Sequence, residues 1–248
     1  MSKYSSWEFM LDGDTQEFRQ LSTMPSTAYF NIYGGIDHWH DCPNDDFRMT
    51  TMYCEGETDP ATAWQVGYEL ISIFNGASVL FNRAYRKASI FRLIHNEVEV
   101  AHERPLGSTA LMGKPTFPQA RLDKEFSNAS KTSIKLKLLH LATENKDVYF
   151  ILKYFDMEPG WVTYYKLLEA VEHFADEKKI ELKTVEAKRK SFTNTANNFS
   201  LSGFDSRHGF KEATKLNKTP AMKLDEGYNF VSELAKKYLK MAYVTPST

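Results

Sequence analysis

The apolar residues of this 248-residue chain follow two different periods, and a stretch rich in proline and glycine separates them. Before that stretch, apolar and polar side chains alternate at residues 4–10 and 28–33, which is the pattern of half-buried strands. After it, apolar residues recur at helical spacing to the end of the chain. The stretch itself, residues 103–130, carries ERPLGSTALMGKPTFPQ and follows neither period. This change of pattern predicts an α+β protein.

We expect two units joined by a linker. Residues 1–105 are predicted to form an antiparallel β-sheet with one main helix, residues 106–130 the linker, and residues 131–248 a helical bundle. The main helix is predicted to begin with Asp59 as its N-cap and Pro60 in its first position, and to end at Asn75 and Gly76. Strands are predicted at residues 78–85 and 88–94, and Asp225 is predicted to cap the last helix.

The composition is that of an ordinary globular protein. Hydrophobic residues make up 42% and charged residues 25%, no apolar run is long enough to cross a bilayer, and no apolar signal core follows Met1. Cys42 and Cys54 are interpreted as reduced thiols. We therefore expect a cytoplasmic protein without a membrane segment. No P-loop or G-x-G-x-x-G sequence is present, so no cofactor is predicted.

Charge is distributed unevenly along the chain. Residues 1–130 have 11 basic and 17 acidic side chains, a net charge of −6, whereas residues 131–248 have 20 and 15, a net charge of +5. The basic half is suited to a polyanion such as RNA. The alternative is a solvated helical surface rich in lysine. A homo-oligomer formed through the helical domain is also left open.

Residues 192–209, FTNTANNFSLSGFDSRHG, are the most informative for function. Arginine presents a fixed fork of donors that fits phosphate or carboxylate, and histidine titrates near neutral pH. A structural alternative is an irregular loop in which Asp205 pairs with Arg207. The candidate catalytic residues are Arg207 and His208, and the candidate ligand-binding residues are Asn197, Asn198, Asp205, Ser206, Lys188 and Arg189.

A second polar cluster, DHWHDC at residues 37–42, contains the side-chain types that bind zinc. Its spacing matches none of the established zinc signatures, so we predict a polar loop and no metal. A basic run of four residues is split between the two faces of its predicted strands and is not expected to bind nucleic acid: Arg83, Arg86, Lys87 and Arg92.

Two segments carry a resemblance to known proteins. Residues 161–169 read W-x-x-x-Y-K-x-x-E, and residues 195–209 read TAN…SG…SRHG. Together they resemble a widespread group of uncharacterised bacterial proteins with a helical C-terminal region, over about residues 147–243. The region is more loosely similar to the HEPN superfamily of helical domains, which includes RNases of toxin–antitoxin and phage-defence systems. The HEPN signature places histidine four to six residues after arginine, whereas Arg207 and His208 are adjacent.

We therefore expect a bacterial cytosolic binding or regulatory module in which residues 197–209 recognise an anionic ligand, RNA or a protein partner. The alternative, implied by the HEPN-like resemblance, is a metal-independent RNase of a defence or toxin–antitoxin system. In that case Arg207 would stabilise the scissile phosphate and His208 would act as acid or base. Whether the protein is an enzyme is left open.

Overall fold

The N-terminal part of the chain forms one antiparallel sheet. The computed structural model describes residues 5–24, 27–37, 40, 42–103, 117–210 and 220–243. Within these residues the strand order is β2-β3-β1-β4-β5, and every neighbouring pair is antiparallel. A short helix, α1 (Thr15–Thr23), follows the first strand. The strands are β1 (Trp7–Asp12), β2 (Asn31–Asp37), β3 (Cys42–Thr50), β4 (Ser89–His95) and β5 (Val98–Val100).

The C-terminal part is helical, and with the N-terminal sheet this confirms the predicted α+β class. The long helix α2 (Pro60–Phe81) lies between β3 and β4 in sequence. The later helices are α3 (Gln119–Thr132), α4 (Ile134–Glu144), α5 (Lys146–Asp156), α6 (Trp161–Glu177), α7 (Glu186–Asn197), α8 (Phe199–Ser202) and α9 (Leu224–Tyr243).

Helix α2 is the element that the sheet and the helices share. It contacts β4 on one side and α4, α5 and α9 on others. Its Gly67 faces the side chains of Phe9 and Ile90, and a Cβ there would lie 2.4 Å from the Phe9 ring. The buried side chains form one continuous hydrophobic core from the sheet to α9. The division into two domains stays a prediction, and α2 lies where the two predicted units meet.

Helix α2 begins as predicted but ends later. The Asp59 side chain accepts hydrogen bonds from the backbone amides of Ala61 and Thr62, as expected for an N-cap. The predicted stop at Asn75 and Gly76 is wrong, because the helix continues to Phe81. The strand predicted at residues 78–85 is wrong as well, since residues 78–81 are helical and residues 82–85 form no strand.

Tertiary contacts explain why Asn75 and Gly76 do not end the helix. The Asn75 amide bonds to the backbone of Ala88, donating to its oxygen at 2.9 Å and accepting from its nitrogen at 2.8 Å. A Cβ at Gly76 would lie 1.9 Å from the carbonyl oxygen of Leu152 in α5. Both residues therefore contribute to packing between elements. Asn75 fixes the backbone just before β4, and Gly76 allows α2 and α5 to approach closely.

The second half of the predicted linker is also helical. Residues 104–116 lie outside the described residues, but α3 begins at Gln119. It is fastened to the N-terminal part, since buried Glu125 accepts a hydrogen bond of 2.6 Å from the amide of Ala28. Arg121 also pairs with Glu55 at 2.7 Å. These contacts are between residues far apart in sequence, which is why the local pattern did not predict an attached helix.

The last helix begins one residue before its predicted cap. Asp225 lies in the first turn of α9, where it pairs with Arg83. The other three members of the basic run are also paired, Arg86 with Asp12, Lys87 with Asp156 and Arg92 with Glu99.

Across the described parts of the chain, the structure contains no helix with the length and apolar character that a membrane crossing requires.

Candidate functional site

Residues 192–209 are anchored to the helical core by one aromatic side chain. Phe192, near the middle of α7, is fully buried. Its ring lies 5.6 Å from that of Trp161 in α6 and 5.2 Å from that of Phe230 in α9. The core therefore fixes α7 between two other helices, and the following residues extend outward from a rigid support.

A hydrogen-bond network around Thr195 shapes the end of α7. The Thr195 hydroxyl donates to the Ser191 carbonyl at 2.8 Å and accepts from the amide of Met222 at 2.9 Å. The Thr195 carbonyl in turn accepts from the Ser202 hydroxyl at 2.8 Å. These bonds connect α7, α8 and the start of the last helical segment, so Thr195 and Ser202 are structural residues of the site.

The two candidate asparagines have different surroundings. Asn198 joins α7 to α8, and its amide donates to the carbonyl of Asn194 at 2.6 Å, so it satisfies a backbone acceptor at the end of the helix. The side-chain oxygen of Asn197 is shielded from solvent and accepts no hydrogen bond from the described residues. Asn197 is only partly buried as a residue, so this oxygen by itself does not define a ligand site.

Asp205 caps the start of helix α6, and its role as a ligand-binding residue stays a prediction. Its carboxylate accepts a hydrogen bond of 2.7 Å from the amide of Trp161, the first residue of α6. A negative charge at this end of a helix is favourable because the first amide groups have no partner within the helix. The preceding residue, Gly160, leaves the necessary space, since a Cβ there would lie 2.7 Å from Asp205 Oδ1.

Arg207 is held against α6 but remains half exposed. Its backbone amide donates to the carbonyl of Ala196 at 2.8 Å. The centre of its guanidinium lies 4.2 Å from the centroid of the Tyr165 ring, and Nη2 lies 3.2 Å from the Glu169 carboxylate. Among the described residues its ion pair is with Glu169 and not with Asp205. Because guanidinium has five donors, this arrangement orients the group without saturating it.

The neighbours of Arg207 complete the polar part of the site. The Ser206 hydroxyl donates to the carbonyl of His208, which fixes the backbone at this turn. His208 itself is exposed, and its imidazole makes no hydrogen bond within the described part of the chain. An exposed imidazole beside a half-exposed guanidinium offers two cationic or donating groups to an anion.

Lys188 and Arg189 lie near the start of α7. Arg189 forms a two-bond ion pair with Glu172, at 2.7 and 2.9 Å, and this hydrogen bonding raises the pKa of the guanidinium. Glu169 and Glu172 are three residues apart on α6, so Arg207 and Arg189 contact adjacent turns of one helix face. Lys188 instead lines a separate cavity of about 370 Å³ together with Glu226. The structure brings Arg189 towards Arg207 but assigns Lys188 to another surface.

Three phenylalanines in the same segment as Arg207 were not predicted as site residues. Phe199 packs edge-on against Phe204 and Phe210, with ring centroids 5.4 and 5.3 Å apart. Phe204 is 99% exposed and Phe210 75% exposed. The sequence could have indicated their exposure. These three aromatic residues occur in a polar segment that contains Gly203, and their spacing does not follow the helical period that would place them on a buried face.

The other candidate cluster does not form a metal site among the described residues. Residues 38, 39 and 41 lie outside them, and the remaining part of the chain brings together no group of three or more histidine, cysteine, aspartate or glutamate side chains. Cys42 is exposed and Cys54 is buried, and no disulfide joins them.

The structure is that of an α+β protein in which residues 199–210, one short segment of the helical region, carry two exposed aromatic rings and a half-exposed guanidinium. No family model, curated protein or solved structure matches the chain. The resemblance to the bacterial TAN…RHG group and to the HEPN superfamily stays a prediction. The two segments on which it is based do contact each other, since Tyr165 and Glu169 of the first both meet Arg207 of the second.

Proposed function

We propose that the protein binds single-stranded RNA through the 199–210 surface, which we define by five residues. The observation that carries the proposal is the 99% exposure of Phe204, three residues before an arginine whose guanidinium is held in place by an aromatic ring. Single-strand-binding proteins combine aromatic side chains, on which bases stack, with cationic groups that contact the backbone. The 199–210 surface consists of Phe199, Phe204, Arg207, His208 and Phe210.

The aromatic side chains supply the stacking part. Phe204 and Phe210 both pack edge-on against Phe199, so the cluster is preorganised while two rings stay accessible to a ligand. Stacking of one base on an aromatic side chain contributes about 1–3 kcal/mol. Two accessible rings could thus contribute about 2–6 kcal/mol, to which ionic contacts with the phosphates add.

Arg207 supplies the contact to phosphate. Its ion pair with Glu169 joins two side chains that are 39% and 49% exposed. Pairs with this exposure contribute about 0–1 kcal/mol to stability, because water screens them. A phosphate can therefore compete for the outward donors while the Tyr165 ring keeps the guanidinium oriented. The carboxylate of Asp205 repels a bound phosphate less than its full charge suggests, because it already accepts a hydrogen bond from the first amide of α6.

Fluorescence anisotropy with a fluorescein-labelled 12-nucleotide RNA of mixed sequence tests the proposal. Phe204→Ala is expected to weaken binding about 5- to 30-fold, corresponding to one lost stack of about 1–2 kcal/mol. Phe91→Ala is the matched control, because Phe91 is 52% exposed but lies on β4. Arg207→Gln is expected to reduce the salt dependence of binding by about one phosphate contact, and Arg86→Gln to leave it unchanged.

Two results would refute RNA binding at this surface. One is the absence of measurable binding to the single strand at low salt. The other is equal affinity for a duplex of the same sequence, because paired bases are not accessible to Phe204 and Phe210. An affinity that falls equally in the Phe91→Ala variant would also contradict the assignment, since it would indicate non-specific contact with exposed rings.

A nucleolytic activity at the same surface is the second candidate. It is favoured by the exposed imidazole of His208 directly beside Arg207. The same RNA, incubated with the protein and separated on a denaturing gel, distinguishes the two functions. If the protein is a nuclease, His208→Ala abolishes cleavage and leaves most of the binding intact. An uncut RNA that binds with an affinity sensitive to Phe204→Ala supports a binding module alone.

The cellular setting of this function is likewise a proposal. The cytoplasm is the expected location, and a role in bacterial antiviral defence is what the resemblance to HEPN proteins implies. Assembly into a homo-oligomer through the helical domain stays a prediction, which light scattering coupled to size-exclusion chromatography measures directly.

A further inference from the structure

An apolar groove lies on a different surface from residues 199–210. It has a volume of about 220 Å³ and is formed by the end of α2, the start of α4 and the C-terminal half of α9. We call it the α2–α4–α9 groove. Its apolar lining includes Leu80, Phe81, Ile134, Leu138, Leu141 and Leu239.

Two apolar side chains of the groove remain strongly exposed. Phe81 is 42% exposed and Ile134 49% exposed. Both line the same groove, so the exposed apolar surface is contiguous and not scattered. Contiguous apolar surface with a polar edge is typical of an interaction site.

The edge of the groove is basic. Lys137, Lys236 and Lys240 line it, and none of the described residues that line it is acidic. The Lys236 ammonium lies 5.3 Å from the centroid of the Phe81 ring. This places positive charge directly beside the apolar floor and favours an occupant that carries carboxylates around its apolar part.

The size of the groove distinguishes between kinds of occupant. Pockets for small molecules usually measure about 300–1,000 Å³ and enclose most of the ligand. This groove is smaller and open along one side, which suits one or two apolar side chains projecting from another protein. Grooves between helices commonly receive the apolar face of an amphipathic helix in this way.

We propose that the α2–α4–α9 groove docks an acidic amphipathic helix of a partner protein. One or two apolar side chains of that helix would fill the space between Phe81, Ile134 and Leu138. Its aspartate or glutamate side chains would face Lys137 and Lys236. This surface is separate from the proposed RNA surface, and the inference does not depend on RNA binding.

A display selection of random 16-residue peptides against the full chain tests this inference. The enriched peptides are expected to have apolar residues three or four positions apart, flanked by aspartate or glutamate. Ile134→Glu is expected to weaken the best peptide at least tenfold. Lys236→Glu is expected to weaken it several-fold at low salt and less at high salt. Lys124→Glu is the charge-matched control, because Lys124 is exposed on α3 and does not line the groove.

The main variant is chosen to preserve folding. Ile134 is the first residue of α4, where a glutamate is favourable at a helix N-terminus. A thermal melt similar to that of the wild type shows that a loss of binding arises in the groove.

Peptides without acidic residues, or peptides that bind Ile134→Glu as well as the wild type, would overturn the proposal. Selection of no amphipathic sequence would do the same. Saturable binding of dodecanoate that Ile134→Glu abolishes, without any enriched peptide, would assign the groove to an anionic amphiphile instead.

Discussion

The contact between Asp205 and the start of α6 predicts a coupled pair of mutational effects. The Asp205 carboxylate accepts from the Trp161 amide at 2.7 Å, and Gly160 provides the space for it. A Cβ at Gly160 would lie 2.7 and 2.9 Å from the two carboxylate oxygens. The backbone of Gly160 is extended, with φ −176°, so alanine is free of backbone strain there. Gly160→Ala therefore acts by displacing the carboxylate.

The expected magnitudes follow from the cost of losing a helix cap. Removing a side-chain cap costs about 0.5–2 kcal/mol, and losing the favourable charge at the helix end costs about 0.3–1 kcal/mol. We therefore expect Asp205→Ala to lower the free energy of unfolding by about 1–2 kcal/mol. In a chain of this length each kcal/mol lowers Tm by about 2–4 °C. Gly160→Ala is expected to cost about 1 kcal/mol in the wild-type background, and close to nothing once Asp205 is alanine.

Urea unfolding of the wild type, the two single variants and the double variant measures this coupling. Phe204→Ala serves as a neighbouring control, since a 99% exposed side chain is expected to change the free energy of unfolding by less than about 0.5 kcal/mol. Two single losses that simply add in the double variant would refute the reasoning, because they would show that Gly160→Ala acts independently of the cap.

Two further predictions concern buried polar groups. Burial lowers the pKa of His140 from 6.5 to about 4. The unfolded chain therefore binds more protons between these pH values, and acidification through this window is expected to lower the free energy of unfolding by about 3 kcal/mol. Urea titrations against pH should show a flatter profile for His140→Gln, and identical profiles would contradict the assignment. Asp147 is buried, accepts from the Tyr238 and Tyr243 hydroxyls and lies 3.1 Å from Lys178 Nζ. Asp147→Ala leaves the two tyrosine hydroxyls without their acceptor and is expected to cost about 2–4 kcal/mol in urea unfolding, with Asp147→Asn recovering part of the loss; a cost below about 1 kcal/mol would contradict this account.

The start of α2 shows what a local pattern can predict. Asp59 and Pro60 specify a helix start because the cap bonds connect residues only two or three positions apart. The period of the apolar residues predicted the α+β class for the same reason. The end of α2 was not predictable, because Asn75 and Gly76 are used to contact Ala88 and Leu152 in other elements.

The candidate site, like α2, was predictable only in part. Its segment was recognisable from a concentration of directional polar groups, but the roles of those groups were not. Asp205 and Arg207 are two residues apart and were considered as a pair. Asp205 instead caps the helix that begins at Trp161, and Arg207 meets Glu169 on the same helix.

By itself, the sequence determined the class of fold, the beginning of α2 and the segment in which the proposed site lies. These properties depend on apolar period and on hydrogen bonds between near neighbours. Only the tertiary structure decided which acidic group faces Arg207, which rings stay exposed around Phe199, and where α2 ends. Those outcomes depend on which distant elements pack together. The free energy of that packing arises from contacts between segments that are far apart in sequence, so it cannot be assigned to any one of them.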